Sequence, residues 1–176
     1  YALDARWEKY LANSYRRLMV IDDIADRRHE RDLLLDQNLF EDMPIRYQGK
    51  LPEKCIQLLG PRYALLQPDY PRLRTQAKPR KAPLNHLLVF FGGADRYNLT
   101  GLTLSALDQI HTPFECVDVV ISRQSPYYEK VKDLAVHSPK IQLHSDLPSL
   151  APLMMKADLA IGAGGAANWE RFCLGL

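Results

Sequence analysis

The sequence has little of what anchors or staples a chain from outside its own core. Cysteine is scarce: Cys55, Cys116 and Cys173 are the three among 176 residues. An odd number without metal-ligand spacing argues against a disulfide scaffold or a zinc module, and suits free thiols in a reducing, cytoplasmic setting. No apolar run is long enough to span a bilayer and no stretch reads as a secretory signal, so no membrane partner is expected. Neither sign of charge is in excess. Lys and Arg number 23 against 21 Asp and Glu, a formal net charge of +2. A nucleic-acid binder usually concentrates strong basic charge on one face, so no nucleic-acid partner is expected either. The chain also lacks an initial methionine, and Gly175-Leu176 ends it inside or just after a helical pattern. A fragment at both ends is expected.

What is present reads as an ordinary globular composition, 47% hydrophobic and 25% charged, in a length that suits one medium domain or two small ones. The most informative stretch is the last, Ala157 to Leu176. Asp158 to Ile161 is a short apolar run fit for a buried strand. Gly162, Gly164 and Gly165 follow, then Asn168 as a candidate N-cap, with Trp169, Phe172 and Leu176 at helical spacing. A strand, a glycine turn and a helix together aim backbone N–H groups at an anion. Glu170, read into the first turn of that helix, either accepts a ribose hydroxyl or complements the helix dipole. A second copy of the device lies upstream: Leu87 to Phe91, then Gly92-Gly93-Ala94-Asp95, then Asn98 and Thr100 leading a helical pattern. Gly92, Gly93, Asp95, Asn98 and Thr100 are placed at a strand's carboxyl end, where α/β sheets bind ligands. Asn98 and Thr100 also have the chemistry of plain helix caps. His144, ending a short strand from Ile141, is placed on the substrate side as well.

Along the rest of the chain, Leu3 to Leu18 reads as an amphipathic helix capped by Asp4, with Trp7, Tyr10, Leu11 and Tyr15 on one face. Leu18 to Ile21 is a strand ending in Asp22-Asp23. That pair either binds metal, works as acid and base, or caps the next turn. Leu33 to Leu35 is a strand closed by Asp36-Gln37-Asn38, in which Gln37 and Asn38 either bond a sugar or turn the chain. Residues 39–57 read as loop. From Pro68 to Pro83, four prolines fall among Arg72, Arg74, Lys78, Arg80 and Lys81, which reads as an interdomain linker, its charge either solvated or attracting phosphate. Beyond it the pattern is β-α-β-α-β-α-β-α, with a helix over Leu147 to Lys156, as in a doubly wound sheet.

Several segments in this order resemble one family. They are Tyr1-Ala-Leu-Asp with Trp7-Glu8, Val20 to Arg27, Asp32 to Asn38, Leu59 to Leu66, Phe91 to Asp95 with Asn98-Leu-Thr100, and Ala157 to Gly165 with Trp169-Glu-Arg171. The chain resembles the UDP-2,4-diacetamido-2,4,6-trideoxy-β-L-altropyranose hydrolases of pseudaminic acid biosynthesis, a flagellin and surface-glycan pathway, and the related spore-coat polysaccharide proteins. The resemblance implies an α/β, glycosyltransferase-B-like fold: two Rossmann-like lobes with parallel sheets, the first incomplete. It implies residues 1–67 as the end of the first lobe, 68–84 as linker and 85–176 as the UDP-binding lobe, truncated at its end. It also implies hydrolysis of the sugar C1–O bond without a cofactor or metal, releasing UDP and free sugar. The family's catalytic histidine lies in a loop upstream of Tyr1, and none of His29, His86, His111, His137 or His144 stands in a matching motif, so this chain alone is expected to lack the general base. Tyr1 matches a tyrosine that lines the sugar pocket. An asparagine beside the ribose-binding glutamate matters in some members; here Trp169 stands between Asn168 and Glu170. UDP-sugar binding is thus expected at Gly164, Gly165, Asn168 and Glu170, with Tyr1 and Asn168 on the catalytic side. Two alternatives stand beside it: a UDP-sugar glycosyltransferase of the same fold, and a non-catalytic nucleotide-sugar-binding module.

Overall fold

A computed structural model describes residues 3–110 and 114–176, and the chain divides into two units, Tyr1–Leu65 and Leu66–Leu176. In the first unit a short helix, α1 (Ala5–Tyr10), precedes three strands, β1 (Met19–Ile21), β2 (Leu33–Asp36) and β3 (Ile56–Leu59). They form one parallel sheet in that order, with Met19, Leu33 and Ile56 in register. Asp4 caps α1 as expected, accepting the Arg6 and Trp7 amides. The sixteen-residue helix is not formed, however. After Leu11 only a turn of 3₁₀ helix, Ala12–Ser14, continues, where Asn13 and Ser14 are weak helix formers. The expected aromatic face is turned outward too: Trp7 and Tyr10 are exposed, and the buried contact of α1 is Glu8. Residues 39–57 are not all loop, since β3 begins at Ile56. Ile56, Gln57, Leu58 and Leu59 carry no clean alternation, and their pairing with β2 decides the strand.

One face of this sheet, through Leu34, packs on Ala25, Tyr47 and Cys55. On the other face Leu35 is buried, while Ile21 and Ile56 are each 58% exposed and Met19 is exposed beside them.

The second unit opens with α2 (Asp69–Arg74). It then alternates without a break: β4 (His86–Phe90), α3 (Leu99–Gln109), β5 (Cys116–Val120), α4 (Tyr128–Val136), β6 (Ile141–His144), α5 (Ala151–Lys156), β7 (Leu159–Gly162) and α6 (Ala166–Cys173). The four strands are parallel in the order β6-β5-β4-β7. Apolar side chains leave both faces of the central strands. Leu87, Val89, Val117, Val119 and Ile121 pack with Leu104 of α3 and Val131 of α4. Leu88 and Val120 pack on the opposite side with Tyr70, Ala151, Leu153, Met154 and Leu174. Both faces are covered, as a parallel sheet requires. The chain is thus an α/β protein with Rossmann-like parallel sheets.

The stretch expected to be a linker is instead structured and belongs to this second core. Pro68 and Asp69 open α2 and Tyr70 is buried in the core. The basic residues have specific acceptors. The Arg80 guanidinium donates to the carbonyls of Met154, Ala157 and Leu174, and that of Arg74 to the carbonyl of Cys173. These are the unsatisfied carboxyl ends of α5 and α6, where a cation also meets the negative end of the helix dipole. Helix α5 also starts later than the sequence suggests, at Ala151, so Pro152 rather than Pro148 occupies its first turn.

Candidate functional site

The chain leaves β4 to build β5 and β6 on one side and returns on the other side as β7, so β4 and β7 flank the point where strand order reverses. Ligands of open α/β sheets bind outside the carboxyl ends of the strands there. Phe90 ends β4 directly opposite Gly162 at the end of β7. A Cβ at Gly162 would sit 2.1 Å from the Phe90 carbonyl oxygen, so glycine is what lets the two strand ends approach. Both glycine turns therefore emerge at one edge, and Gly92, Gly93, Gly164 and Gly165 are brought together at adjacent strand ends about 4.8 Å apart.

The two helices that follow have opposite starts. At α3, Asp95 is buried and its two carboxylate oxygens accept the amides of Leu99 at 2.8 Å and Thr100 at 3.0 Å. Asn98, in the left-handed region at φ 53°, accepts the Gly101 amide. Thr100 is 1% exposed, and its hydroxyl has no hydrogen-bond partner among the described residues. The anion at this helix start is thus the protein's own carboxylate. At α6 the N-cap is Gly165, with φ 104° and ψ −154°, and no side chain caps the helix. That backbone region is essentially restricted to glycine. The first amide N–H groups of α6 therefore face the switch point without an acceptor side chain.

Two readings of α6 change with its start. Asn168 is not the N-cap but the third helical residue, and its side-chain oxygen accepts from Arg171 at 2.8 Å. Glu170 is in the second turn rather than the first. The sequence signal missed this because Ala166 and Ala167, strong helix formers, begin the helix at once. Arg171 also donates to the carbonyls of Ala163 and Ala167, clamping the glycine turn to α6. Burial lowers its pKa and Glu170 opposes that shift. Glu170 itself is half-buried. Burial first, and then the Glu170 charge, push the Tyr70 pKa up. Neither Arg171 nor Tyr70 was singled out by sequence reasoning. Arg171 was visible only as part of the Trp169-Glu-Arg171 motif, and Tyr70 lay inside the presumed linker.

His144 ends β6, two strands from β4, and its Nε2 lies 2.7 Å from the buried Asp118 carboxylate. In the first unit, Asp22 accepts the Ile24 and Ala25 amides and so caps a turn. It also lies 3.6 Å from Nε2 of His29, whose Nδ1 meets Glu8 at 2.5 Å. Gln37 accepts the Leu65 amide and Asn38 donates to Asp23, both across the chain rather than within one turn. Tyr1 and His111 lie outside the described residues. No helix among the described residues is long and apolar enough to cross a membrane.

No family model matches the chain. It is 31% identical to the spore coat polysaccharide biosynthesis protein SpsG of Bacillus subtilis over 118 residues, 66% of this chain and 34% of that protein. It is 26% identical over 141 residues to the UDP-2,4-diacetamido-2,4,6-trideoxy-beta-L-altropyranose hydrolase of Campylobacter jejuni, covering 80% of this chain and 48% of that one. An uncharacterized protein of Methanocaldococcus jannaschii is 26% identical over 128 residues, 70% of this chain and 26% of its own length. The chain is related to sugar-biosynthesis proteins. It spans between about a quarter and a half of the length of these relatives.

Proposed function

We propose that the second unit holds the diphosphate of a UDP-sugar on the amino end of α6, in a protein that hydrolyses a UDP-activated 2,4-diacetamido-2,4,6-trideoxy sugar at its C1–O bond. The observation that carries the binding reading is the contrast between the two helix starts at the switch point: α3 is closed by Asp95, whereas α6 has no side-chain cap. Unmatched N–H groups and the helix dipole together favour a bound anion. The substrate reading comes from the altropyranose hydrolase relative and the polysaccharide-biosynthesis relative.

In this reading Gly164, Gly165 and the amides after them face the diphosphate. Glu170, one turn further along, accepts the ribose hydroxyls, because a carboxylate suits a neutral diol and repels a phosphate. In the reaction, water oxygen bonds to C1 as the C1–O bond to UDP breaks, and the electron pair leaves with UDP. A base takes the water proton. The amides at α6 stabilise charge on the departing diphosphate. In the second unit, His86 lies at the amino end of β4, His137 bonds the Asp133 carbonyl and His144 is tied to Asp118. The proposal gives this unit binding and leaving-group stabilisation, and leaves the general base to a histidine outside this chain. A glycosyltransferase-B-like fold belongs to the same proposal.

Calorimetric titration of UDP into this chain and into Glu170→Gln tests the binding reading. UDP affinity is expected to fall about tenfold or more, where tenfold is about 1.4 kcal/mol, with little change in melting temperature. Unchanged affinity with a lowered melting temperature would make Glu170 structural. For the reaction, the full-length protein should form UDP and free sugar from the UDP-sugar without any acceptor; a strict acceptor requirement would point to a transferase.

A further inference from the structure

Helix α1 is six residues long, too short to be stable by itself, and its aromatic side chains do not anchor it. Trp7 and Tyr10 are exposed, and Glu8 is its buried residue. The seat of α1 is therefore polar. One Glu8 carboxylate oxygen lies 2.5 Å from Nδ1 of His29, and the other accepts the Glu30 amide. Nε2 of His29 faces the Asp22 carboxylate at 3.6 Å, an ion-pair rather than a hydrogen-bond distance. Glu8, His29 and Asp22 are 1%, 4% and 4% exposed. A neutral imidazole has one N–H and one lone pair, so between two carboxylates it would turn the lone pair toward one of them. An imidazolium offers a proton to each. The charge balance agrees. Arg31 is buried as well; burial lowers its pKa, while the charges of Glu8 and Asp22 oppose that shift. With His29 charged, two cations meet two carboxylates. With His29 neutral, a net negative charge would be buried, which is costly.

We propose that His29 is an imidazolium clasped between Glu8 and Asp22, that this charge seats α1 on the first unit, and that α1 is released when the proton leaves. The other groups around the cluster are engaged elsewhere. The Tyr47 phenol meets the Asp22 carbonyl and the Asp36 carboxylate, and Asp36 is paired with Arg46 at 3.3 Å. Lys50 donates to the Arg46 carbonyl, and Arg27 is paired with Asp26. Burial pushes the Tyr47 phenol and the Cys55 thiol up, so both stay protonated near neutral pH. Lys9 of α1 and Glu30 pair across the surface at 3.4 Å, which adds little because both are exposed. Two carboxylates hold the His29 proton beyond the pH of about 6.5 at which a free imidazole loses it. The clasp is therefore fully made below that pH, and is lost as pH rises through the point at which the folded ring deprotonates.

Nitrogen NMR of the His29 ring reads the charge directly. In this chain both ring nitrogens should be protonated at about pH 6.5. A ring found in a neutral tautomer there would overturn the proposal. Hydrogen exchange, corrected for the intrinsic effect of pH, reads the seat of α1 through the amides of Lys9, Tyr10 and Leu11. Their protection should fall by about tenfold or more as the NMR signal of the ring passes from charged to neutral, while the amides of Leu34 and Leu35 in β2 keep theirs. In His29→Gln the α1 protection should be low and independent of pH. Glu8→Gln, which leaves the ring in place and removes the charge it holds, should behave in the same way and serves if His29→Gln folds poorly. Protection of α1 that ignores the ring's titration would overturn the release. So would an equal loss in α1 and β2, which marks a change in the stability of the whole unit.

Discussion

Asp95 and Gly165 occupy comparable points after two strand-and-glycine turns, yet one closes a helix start and the other leaves it open. Asp95→Ala should therefore lower stability by about 0.5–2 kcal/mol, as loss of a helix cap does, while UDP affinity changes little. Gly165→Ala should cost about 1–3 kcal/mol, because its backbone region excludes a Cβ, and should weaken UDP binding as well. Chemical denaturation and calorimetry on the same preparations separate the two effects. An Asp95→Ala variant that keeps its stability but loses UDP binding would place that carboxylate on the ligand instead. The glycines were legible in the sequence because nothing else supplies such turns. The capping bonds of Asp95 were not, since the aspartate after Gly-Gly reads as a ligand contact, and its acceptance of the Leu99 and Thr100 amides depends on how the loop folds back on α3.

At the level of elements, the alternation from β4 to α6 was readable because each strand is a short apolar run and each crossover helix follows a turn signal. What could not be read were elements formed by partners distant in sequence. Helix α2 exists where Tyr70 and Arg74, and Arg80 after them, find α5 and α6, with the arginine bonds spanning 74 and 99 residues of chain, and β3 exists where β2 pairs with it. Asp158, just before β7, is another long-range tie. Its carboxylate accepts the amides of Asn85 at 2.8 Å and His86 at 2.9 Å, holding the starts of β4 and β7 together. The amide bonds, that from His86 first, lower its pKa below the ordinary 3.8. A depressed carboxylate contributes stability that is fully present above its unfolded pKa and lost as pH falls through the folded one. Asp158→Asn should thus lower the melting temperature at neutral pH and flatten its decline below about pH 4. An acid limb of unchanged steepness would remove Asp158 from that transition.

At the scale of the whole molecule, the two sheets differ in how they are finished. The second has helices on both faces, whereas the first leaves Met19, Ile21 and Ile56 exposed on one face, beside a buried Leu35. Contiguous exposed apolar surface on a parallel sheet drives association. Replacing Ile21 and Ile56 together by lysine should reduce self-association in sedimentation and reduce binding of a hydrophobic dye, with the unfolding midpoint little changed. A large drop in that midpoint would show that the face is packed in solution. The strap of residues 66–84 has a different consequence, one of modularity. Because Tyr70 fills the core and Arg80 finishes two helices, the second unit can be excised, permuted or exchanged between related chains as an autonomous piece only with a cut near Leu65. A recombination event at residue 84 would instead inherit a sheet stripped of one of its own covers.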